Sequence, residues 1–315
     1  MNGSTITEFI LLGLSHSCTP QLILFTCFLA CYITILLGNF LIVVTVQAEP
    51  RLLHSPMYFF LSSLSLIDMS LGSVAAPKTM ANLMACGYTI SFGGCMAQLF
   101  FLHLFGGAEM LLLTVMAYDR YVAICHPLRY MAIMDRPRCF RLLMVCWVGG
   151  LIHTTIQMVV VAQLPFCGPN VLDNFYCDVP QVIKLACTET FVIELLMVAN
   201  SSLLSLPCFL ILLISYAVIL ATLQGHFRKG SGKALSTCSS HLIVVSLIYV
   251  PCVFVYLRPF SSSQVDKIAS VFYTVVTPAL NPIIYTLRNQ EMKDAMGKLR
   301  NRCLFFLSGV RGQHA

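Results

Sequence analysis

The feature that most constrains this chain is a series of seven apolar segments, each long enough to cross a lipid bilayer. A membrane-spanning helix needs about 20 predominantly apolar residues. Such segments recur along the 315 residues, of which 58% are hydrophobic and only 10% are charged. They are apolar on all sides rather than on one face, which argues against a large soluble helical core. The seven segments are residues 22–47, 56–80, 95–118, 140–163, 191–224, 235–257 and 268–288.

The basic residues predict how these segments are oriented. Fifteen of the 19 Lys and Arg residues lie after the first, third and fifth segments and in the tail. Because basic loops stay in the cytoplasm, we expect an extracellular amino terminus over residues 1–21, a seven-span domain over 22–288 and a cytoplasmic tail over 289–315. The net charge of +6 then reflects orientation, and no nucleic-acid partner is expected. Residues 1–21 lack the basic start of a cleavable signal peptide, so the first span is expected to be a signal anchor in the plasma membrane.

Four of the fifteen cysteines lie where an oxidising compartment is expected. Cys95 begins the third span, and Cys167, Cys177 and Cys187 lie in the long loop after the fourth. Four such thiols predict two disulfides, with three alternative pairings. A metal site is the competing interpretation, but no close CxxC or HxxxH pair accompanies them. On the same side, Asn2 begins an Asn-Gly-Ser sequon and is a candidate glycosylation site.

Four motifs resemble those of one family, the olfactory receptors within the rhodopsin-like G-protein-coupled receptors. They are LHSPMYFFLSSLSLIDMS at 53–70, MAYDRYVAICHPLRY at 116–130, KALSTCSSHL at 233–242 and PALNPIIYTLRN at 278–289. The resemblance covers essentially the whole chain. It implies an all-α membrane protein, a seven-transmembrane helix bundle with a short amphipathic eighth helix. It also implies the disulfide pairs Cys95–Cys177 and Cys167–Cys187.

A charged couple, Asp119 and Arg120, ends the third apolar segment and is followed by Tyr121. Such a pair is tolerable at a membrane edge because the partners neutralise each other and Arg can extend to the interface. The alternative is a pair of interfacial charges that only set helix depth. The family resemblance implies a conformational switch that acts on a G protein. Its other expected members are Tyr216, His241, Asn281, Pro282 and Tyr285, although His241 is equally well explained as an ordinary helix contact.

Polar residues are also expected inside the membrane. Asn39, Asp68, Glu109 and Asn281 lie at similar depths, between the midplane and the cytoplasmic edge. Two carboxylates in a low dielectric need a cation, protons or hydrogen-bond donors. The resemblance implies sodium or a proton at Asp68 and Glu109, and the alternative is a purely structural hydrogen-bond network.

The ligand site is expected in the outer half of the bundle. Helical spacing places five residues of the third span on one face, and two of them are glycines that leave room for a ligand or for a neighbouring helix. Each candidate could equally be an ordinary core residue. A departure from the family lies at Tyr249-Val250, where an aromatic-glycine pair is common. The predicted ligand-binding residues are Leu102, His103, Gly106, Gly107, Met110, Asn200, Ser201, Leu204, Tyr249, Cys252, Val253, Tyr256, Val271 and Thr274.

The tail alternates apolar and basic residues at helical spacing, which predicts an amphipathic helix on the lipid surface with Cys303 as a candidate palmitoylation site. The sequence thus predicts an odorant receptor that binds small volatile or semi-volatile molecules and activates a stimulatory heterotrimeric G protein, which raises cyclic AMP. Neither enzymatic activity nor an organic cofactor is expected. The alternatives are a receptor of the same architecture for a metabolite or lipid, and a membrane transporter. A retinal-type pump is disfavoured because the seventh span has no Lys between Ile268 and Leu287.

Overall fold

A computed structural model of the chain describes residues 7–14, 18–85, 87–167, 169–225, 231–256 and 264–311. Helices account for most of these residues, as expected from the long apolar segments. A 3₁₀ turn covers Pro127–Arg129 and a π-helical turn covers Phe272–Val276. Helices α1 to α12 are, in order, Cys18–Ala48, Pro50–Leu53, Pro56–Ala85, Phe92–Cys125, Tyr130–Ile133, Arg136–Ala162, Val179–Ile183, Phe191–Gly225, Ser231–Tyr256, Gln264–Val271, Thr277–Arg288 and Gln290–Arg311.

The described residues contain six helical spans that are long and apolar enough to cross a membrane. They lie in α1, α3, α4, α6 and α8 and in the continuous segment Val265–Thr286, and α9 adds the shorter apolar stretch Cys238–Cys252. Together with the tail helix α12, this confirms the predicted all-α seven-span bundle. Side chains are distributed as expected in lipid, since Leu203 is 79% exposed whereas Asn39 and Asp68 are fully buried.

A small three-stranded sheet was not predicted. Strand β1 (Glu8–Leu11) pairs antiparallel with β2 (Thr89–Ser91) and parallel with β3 (Val171–Leu172), so it is the central strand. Phe9 and Leu11 are fully buried and anchor β1 to the bundle. Residues 8–11 are too few to stand out from a loop by periodicity alone. We call the end of the bundle that carries these strands the sheet end, and the opposite end, which carries α5 and α12, the tail end.

Helices α4 and α6 pack closely against each other near the middle of their lengths. A Cβ atom added at Gly150 would lie 2.7 Å from the carbonyl oxygen of Leu104 and 2.9 Å from the amide nitrogen of Ala108. A Cβ added at Gly107 would lie 3.2 Å from Gly150 Cα, whereas one added at Gly106 would meet open space. The sequence left open whether these glycines make room for a helix or for a ligand. In the structure, Gly107 makes room for the neighbouring helix and Gly106 faces a cavity.

Candidate ligand-binding site

A cavity of about 190 Å³ lies inside the bundle near the sheet end. Its walls come from α3, α4, α6, α8, α9 and the seventh span, and residues 173–183 cover it on the side of the sheet end. We call the segment 164–190, which contains these residues, the cap segment. Nine of the predicted ligand-binding residues line the cavity, namely Leu102, His103, Gly106, Gly107, Met110, Ser201, Leu204, Cys252 and Thr274.

Three other predicted ligand-binding residues lie outside this lining. Asn200 turns to α6, where its amide hydrogen-bonds to His153. Tyr249 is buried in the core against Phe209, with ring centroids 5.6 Å apart. Val271 packs in the hydrophobic cluster beside the first and second spans, because the π-helical turn that follows it presents Tyr273 and Thr274 to the cavity instead. The side chains of Val253 and Tyr256 lie outside the described part of the chain.

The cap segment is held over the cavity by covalent and polar contacts. The structure contains the disulfides Cys95–Cys177 and Cys167–Cys187. The Cys177 amide donates to Gln98 Oε1 at 2.8 Å, which fixes the backbone beside the first disulfide. On the opposite side, the cap segment reaches the seventh span through the pairs Tyr176–Tyr273 and Asp173–Lys267.

Charged groups surround the cavity at its capped side. Asp173, Asp178, Glu194 and Asp266 line it there, and Lys267 is the lysine among the lining residues. Lys267 Nζ lies 2.5 Å from Asp173 Oδ1, so its charge is already neutralised by the protein. Burial raises the pKa of the Asp178 carboxyl to about 6, although the Val179 amide and Lys184 lower it in part. An anionic ligand would therefore enter a surrounding that is already rich in carboxylates.

His153 and Gln157 also line the cavity, although they were not among the predicted ligand-binding residues. They lie four residues apart in the apolar span α6 and so share a face. Two polar residues on one face of an apolar span were the sequence feature that could have indicated them. Gln157 Nε2 donates to Ser201 Oγ at 3.0 Å, while Gln157 Oε1 is buried without a hydrogen-bond partner among the described residues. The cavity residues of the cap segment were missed because loop residues follow no such periodicity.

Two histidines face each other across this polar wall. The ring centroids of His103 and His153 lie 6.0 Å apart. His103 Nδ1 lies 2.9 Å from the carbonyl oxygen of Leu99, one turn earlier in α4. His153 Nδ1 lies 3.1 Å from Asn200 Nδ2, which also donates to the His153 carbonyl at 3.3 Å. In both rings, Nδ1 is therefore hydrogen-bonded to another group of the protein.

At the tail end, Asp119 is the centre of the predicted switch. Its carboxylate accepts hydrogen bonds from Arg120 and from the hydroxyl of Tyr130, the latter at 2.7 Å. Asp119 is only 1% exposed, so it depends on these two donors. Burial and the Asp119 charge raise the pKa of the Tyr130 phenol, which keeps its donor proton.

The structure brings several predicted switch residues to a second, small cavity of about 30 Å³. Asp119, Arg120, His241 and Tyr285 line it, and Tyr216 hydrogen-bonds to His241. Tyr121 lies elsewhere, beside His126 and Tyr118. Pro282 packs on the first span, since a Cβ added at Gly38 would lie 2.8 Å from its Cγ.

The buried polar residues contact one another only in part. Asn281 Nδ2 donates to Asp68 Oδ2 at 2.9 Å, while Asn39 donates to the Pro278 carbonyl at 3.1 Å. Glu109 lies close enough to Asp68 for an electrostatic interaction. One side-chain oxygen of each of these four residues is buried without a hydrogen-bond partner in the described structure. Among the described residues, no group of three or more His, Cys, Asp or Glu side chains is placed to hold a metal ion.

The tail helix α12 is fixed to the bundle at its start. The Tyr58 hydroxyl lies 3.0 Å from both Asn289 Oδ1 and Glu291 Oε2. Met292 is fully buried against the first and second spans, as expected for the apolar face of an amphipathic helix. Two predicted modification sites cannot be placed further: Asn2 and the side chain of Cys303 lie outside the described residues.

This molecule combines a seven-span helical bundle with a capped cavity at one end and an Asp-Arg pair at the other, an arrangement of the membrane-receptor class. Comparison with known proteins gives the family. The sequence model described as olfactory receptor matches residues 27–302, and the chain belongs to this family of G-protein-coupled receptors, which are not enzymes.

Individual relatives agree over nearly their whole lengths. The chain is 64% identical to human olfactory receptor 4Q3 over 94% of this chain and 95% of the relative. It is 54% identical to human olfactory receptor 4K14, with coverage of 97% and 98%. It is also 54% identical to mouse olfactory receptor 4E2, with coverage of 96% and 98%. The chain is therefore a multi-pass membrane protein of the odorant-receptor type.

Proposed function

We propose that the chain detects a small volatile or semi-volatile odorant in the cavity beneath the cap segment and activates a stimulatory heterotrimeric G protein, which raises cyclic AMP. The observation that carries the proposal is the cavity itself. It lies near the sheet end and combines apolar side chains such as Leu102, Met110 and Leu204 with a few polar groups. Such a surrounding suits a small, mostly apolar molecule. The family membership supports the same function.

Orientation is part of this proposal. The sheet end, with the disulfides, faces the extracellular side of the plasma membrane, and the tail end faces the cytoplasm. Disulfides persist in oxidising compartments, and the excess of Lys and Arg near the tail end favours a cytoplasmic position. The G protein would then approach the small cavity that contains Arg120 and His241.

Activation would proceed by a shift in conformational populations. A ligand that binds better to the state with an open tail end increases the fraction of that state. In the structure, Asp119 accepts hydrogen bonds from Arg120 and Tyr130, so opening of the tail end must break or rearrange these contacts. Arg120 would then be available to groups of the G protein. Sodium or a proton at Asp68 and Glu109 would stabilise the closed state by neutralising buried carboxylates, and no further cofactor is proposed.

The test is a cyclic AMP reporter assay in cells that produce the receptor and an olfactory-type stimulatory G protein. Wild-type receptor should respond to at least one member of a panel of volatile alcohols, aldehydes, esters, ethers and hydrocarbons. Arg120→Ala and Asp119→Ala should change the response while leaving the surface level nearly unchanged. His54→Phe is the matched control, because His54 is exposed and its ring hydrogen-bonds only to the Pro50 carbonyl in the described structure.

Two further measurements test the same proposal. Gly106→Leu should fill part of the cavity and reduce the response to the odorant that activates wild type. An amino-terminal epitope should be labelled on intact cells, and a carboxy-terminal epitope only after permeabilisation. Labelling of the carboxy terminus on intact cells, or unaltered responses in both Asp119 and Arg120 variants, would contradict the proposal.

A further inference from the structure

The hydrogen-bond partners of His103 and His153 fix which nitrogen of each ring carries a proton. A carbonyl oxygen only accepts, so His103 Nδ1, 2.9 Å from the Leu99 carbonyl, must carry the hydrogen. In the uncharged ring, Nε2 of His103 then has a free lone pair. Burial in a largely apolar surrounding favours the uncharged form. His103 therefore offers a hydrogen-bond acceptor to the cavity.

His153 is held in the opposite tautomer. The Asn200 amide nitrogen lies 3.1 Å from His153 Nδ1 and 3.3 Å from the His153 carbonyl. Rotating the amide by 180° would place Asn200 Oδ1 against that carbonyl, with two acceptors facing each other, so the nitrogen must point to His153. Nδ1 of His153 therefore accepts, and Nε2 carries the hydrogen. His153 offers a donor to the cavity.

The two rings cannot satisfy each other directly. A ring nitrogen lies little more than an ångström from its centroid, so rings with centroids 6.0 Å apart keep their nitrogens beyond the hydrogen-bond distance of about 2.7–3.2 Å. A single oxygen atom hydrogen-bonded to two nitrogens separates them by about 4.5–5.5 Å, a separation that rings with centroids 6.0 Å apart can have. Neither Nε2 atom has a hydrogen-bond partner in the part of the chain that the structure describes, and both residues line the cavity.

We propose, on the basis of the odorant-binding function above, that His103 and His153 together bind the hydroxyl group of an alcohol or phenol. The hydroxyl donates its hydrogen to His103 Nε2 and accepts one from His153 Nε2. A buried amide oxygen next to this pair, Gln157 Oε1, also lacks a partner and can accept from a second hydroxyl. Asn200, which does not line the cavity, is a positioning residue because it sets the tautomer of His153.

Other functional groups fit this pair less well. An ether, ketone or ester accepts but does not donate, and would leave His103 Nε2 unpaired. A carboxylate also lacks a donor, and it would enter a cavity lined by Asp178, Glu194 and Asp266. An alkylammonium donates but does not accept, which would leave the His153 N–H unpaired. Leaving a buried partner without its hydrogen bond costs about 1–3 kcal/mol, or roughly 5- to 150-fold in affinity.

The first test uses matched probes on the full-length receptor. Straight-chain primary alcohols of six to ten carbons, cyclohexanol and 4-ethylphenol are compared with the methyl ether, hydrocarbon, amine and carboxylic acid of the same skeleton in the cyclic AMP assay. At least one alcohol or phenol should be at least tenfold more potent than its methyl ether. His103→Phe should remove this difference by weakening the alcohol alone. His153→Phe should weaken the alcohol and the ether together and remove the preference for the alcohol over the amine, and His54→Phe should preserve both preferences.

The second test does not depend on signalling. Purified receptor labelled with ¹⁵N-histidine is compared with its His103→Phe and His153→Phe variants, so that the two rings can be assigned in NMR spectra. His103 should show a protonated Nδ1 and His153 a protonated Nε2. Asn200→Leu should release His153 into a mixture of tautomers and reduce the preference for the alcohol over the matched amine, with the His103 signals unchanged. This measurement remains decisive for the wild-type protein if a variant fails to reach the cell surface.

The outcomes separate the two proposals. Wild-type receptor at the cell surface that responds to ethers or amines as strongly as to the matched alcohols would overturn the hydroxyl assignment and leave the odorant-receptor function intact. The same holds if the spectra show the reverse tautomers. A surface-exposed receptor that responds to no volatile compound would overturn the proposed function and the inference with it.

Discussion

The phenol oxygens of Tyr176 and Tyr273 lie 2.6 Å apart, and their hydrogen bond joins the cap segment to the seventh span. Tyr176 directly precedes Cys177, which is covalently bound to the third span. The cap segment is thus attached on both sides of the cavity. Movement of the seventh span relative to the third must therefore strain or break the tyrosine pair.

Removing either phenol hydroxyl should weaken this attachment. Tyr176→Phe and Tyr273→Phe each remove the same hydrogen bond, worth about 0.5–1.5 kcal/mol, so each should raise the odorant concentration for half-maximal response roughly 2- to 12-fold. The double variant should be little worse than Tyr273→Phe, because the bond between the two phenols is lost only once and Tyr273→Phe also removes the bond to Ser270 Oγ. Dose–response curves measure this, with the exposed Tyr118→Phe as control. Fully additive effects would show that the two hydroxyls act independently.

Gly150→Ala and Gly106→Ala should differ in stability although each adds one methyl group. The first places a Cβ 2.7 Å from a backbone oxygen in α4, and the second places it in the cavity. We expect Gly150→Ala to destabilise the purified receptor by about 1–3 kcal/mol, as overpacking does, and Gly106→Ala to leave stability unchanged. Thermal unfolding in detergent measures both. Equal unfolding temperatures would contradict the close approach of α4 and α6.

Tyr130→Phe should raise basal cyclic AMP. The Tyr130 hydroxyl is one of the two donors to the buried Asp119 carboxylate, and its loss should destabilise the closed tail end. A shift of about 1 kcal/mol corresponds to roughly fivefold more active receptor when the active state is a minor one. Basal signalling per receptor at the surface is the measurement. Tyr118→Phe is the matched control, because Tyr118 is exposed and makes no hydrogen bond to Asp119 in the described structure; the prediction fails if both variants behave alike.

Asp178 should make receptor stability depend on pH. Its pKa in the folded protein is about 6, raised by burial from the ordinary 3.8. Between these values the folded state binds more protons than the unfolded state, so the Asp178 contribution to stability is present below about pH 4 and is lost as pH rises to about 6.

Asp178→Asn should therefore stabilise the receptor relative to wild type above pH 6, and the difference should shrink towards pH 4. Unfolding temperatures measured across this range test it. Asp294→Asn, at an exposed position in α12, should show no such trend. If the stability difference between Asp178→Asn and wild type grew as the pH fell, it would have the wrong sign for a carboxyl whose pKa is raised by burial.

Sequence patterns could predict the bundle but only part of the cavity. Long apolar segments and helical spacing placed Leu102, His103 and Met110 on the face that lines the cavity, since both signals act within a single helix. Depth along a span does not set the direction in which a side chain points. Asn200 was expected to face a ligand and instead hydrogen-bonds to His153, and Val271 packs against the cluster beside the first and second spans.

The closure of the cavity was harder to predict for a different reason. The pairs Tyr176–Tyr273 and Asp173–Lys267 each join residues more than 90 positions apart in the chain. Their geometry depends on how the cap segment folds between its disulfides, which no local periodicity encodes. The same holds for β1, whose four residues acquire a regular structure only from strands contributed by two distant segments.

The central position of β1 also sets an order of events during biosynthesis. The ribosome makes Phe9 early, yet the neighbour of Leu11 on its second edge, Leu172, emerges only after four spans have been completed. Until then one edge of this hydrophobic strand has unsatisfied amide and carbonyl groups, a known template for aggregation. A nascent chain that stalls before Val171 is therefore a natural substrate for chaperones and quality control.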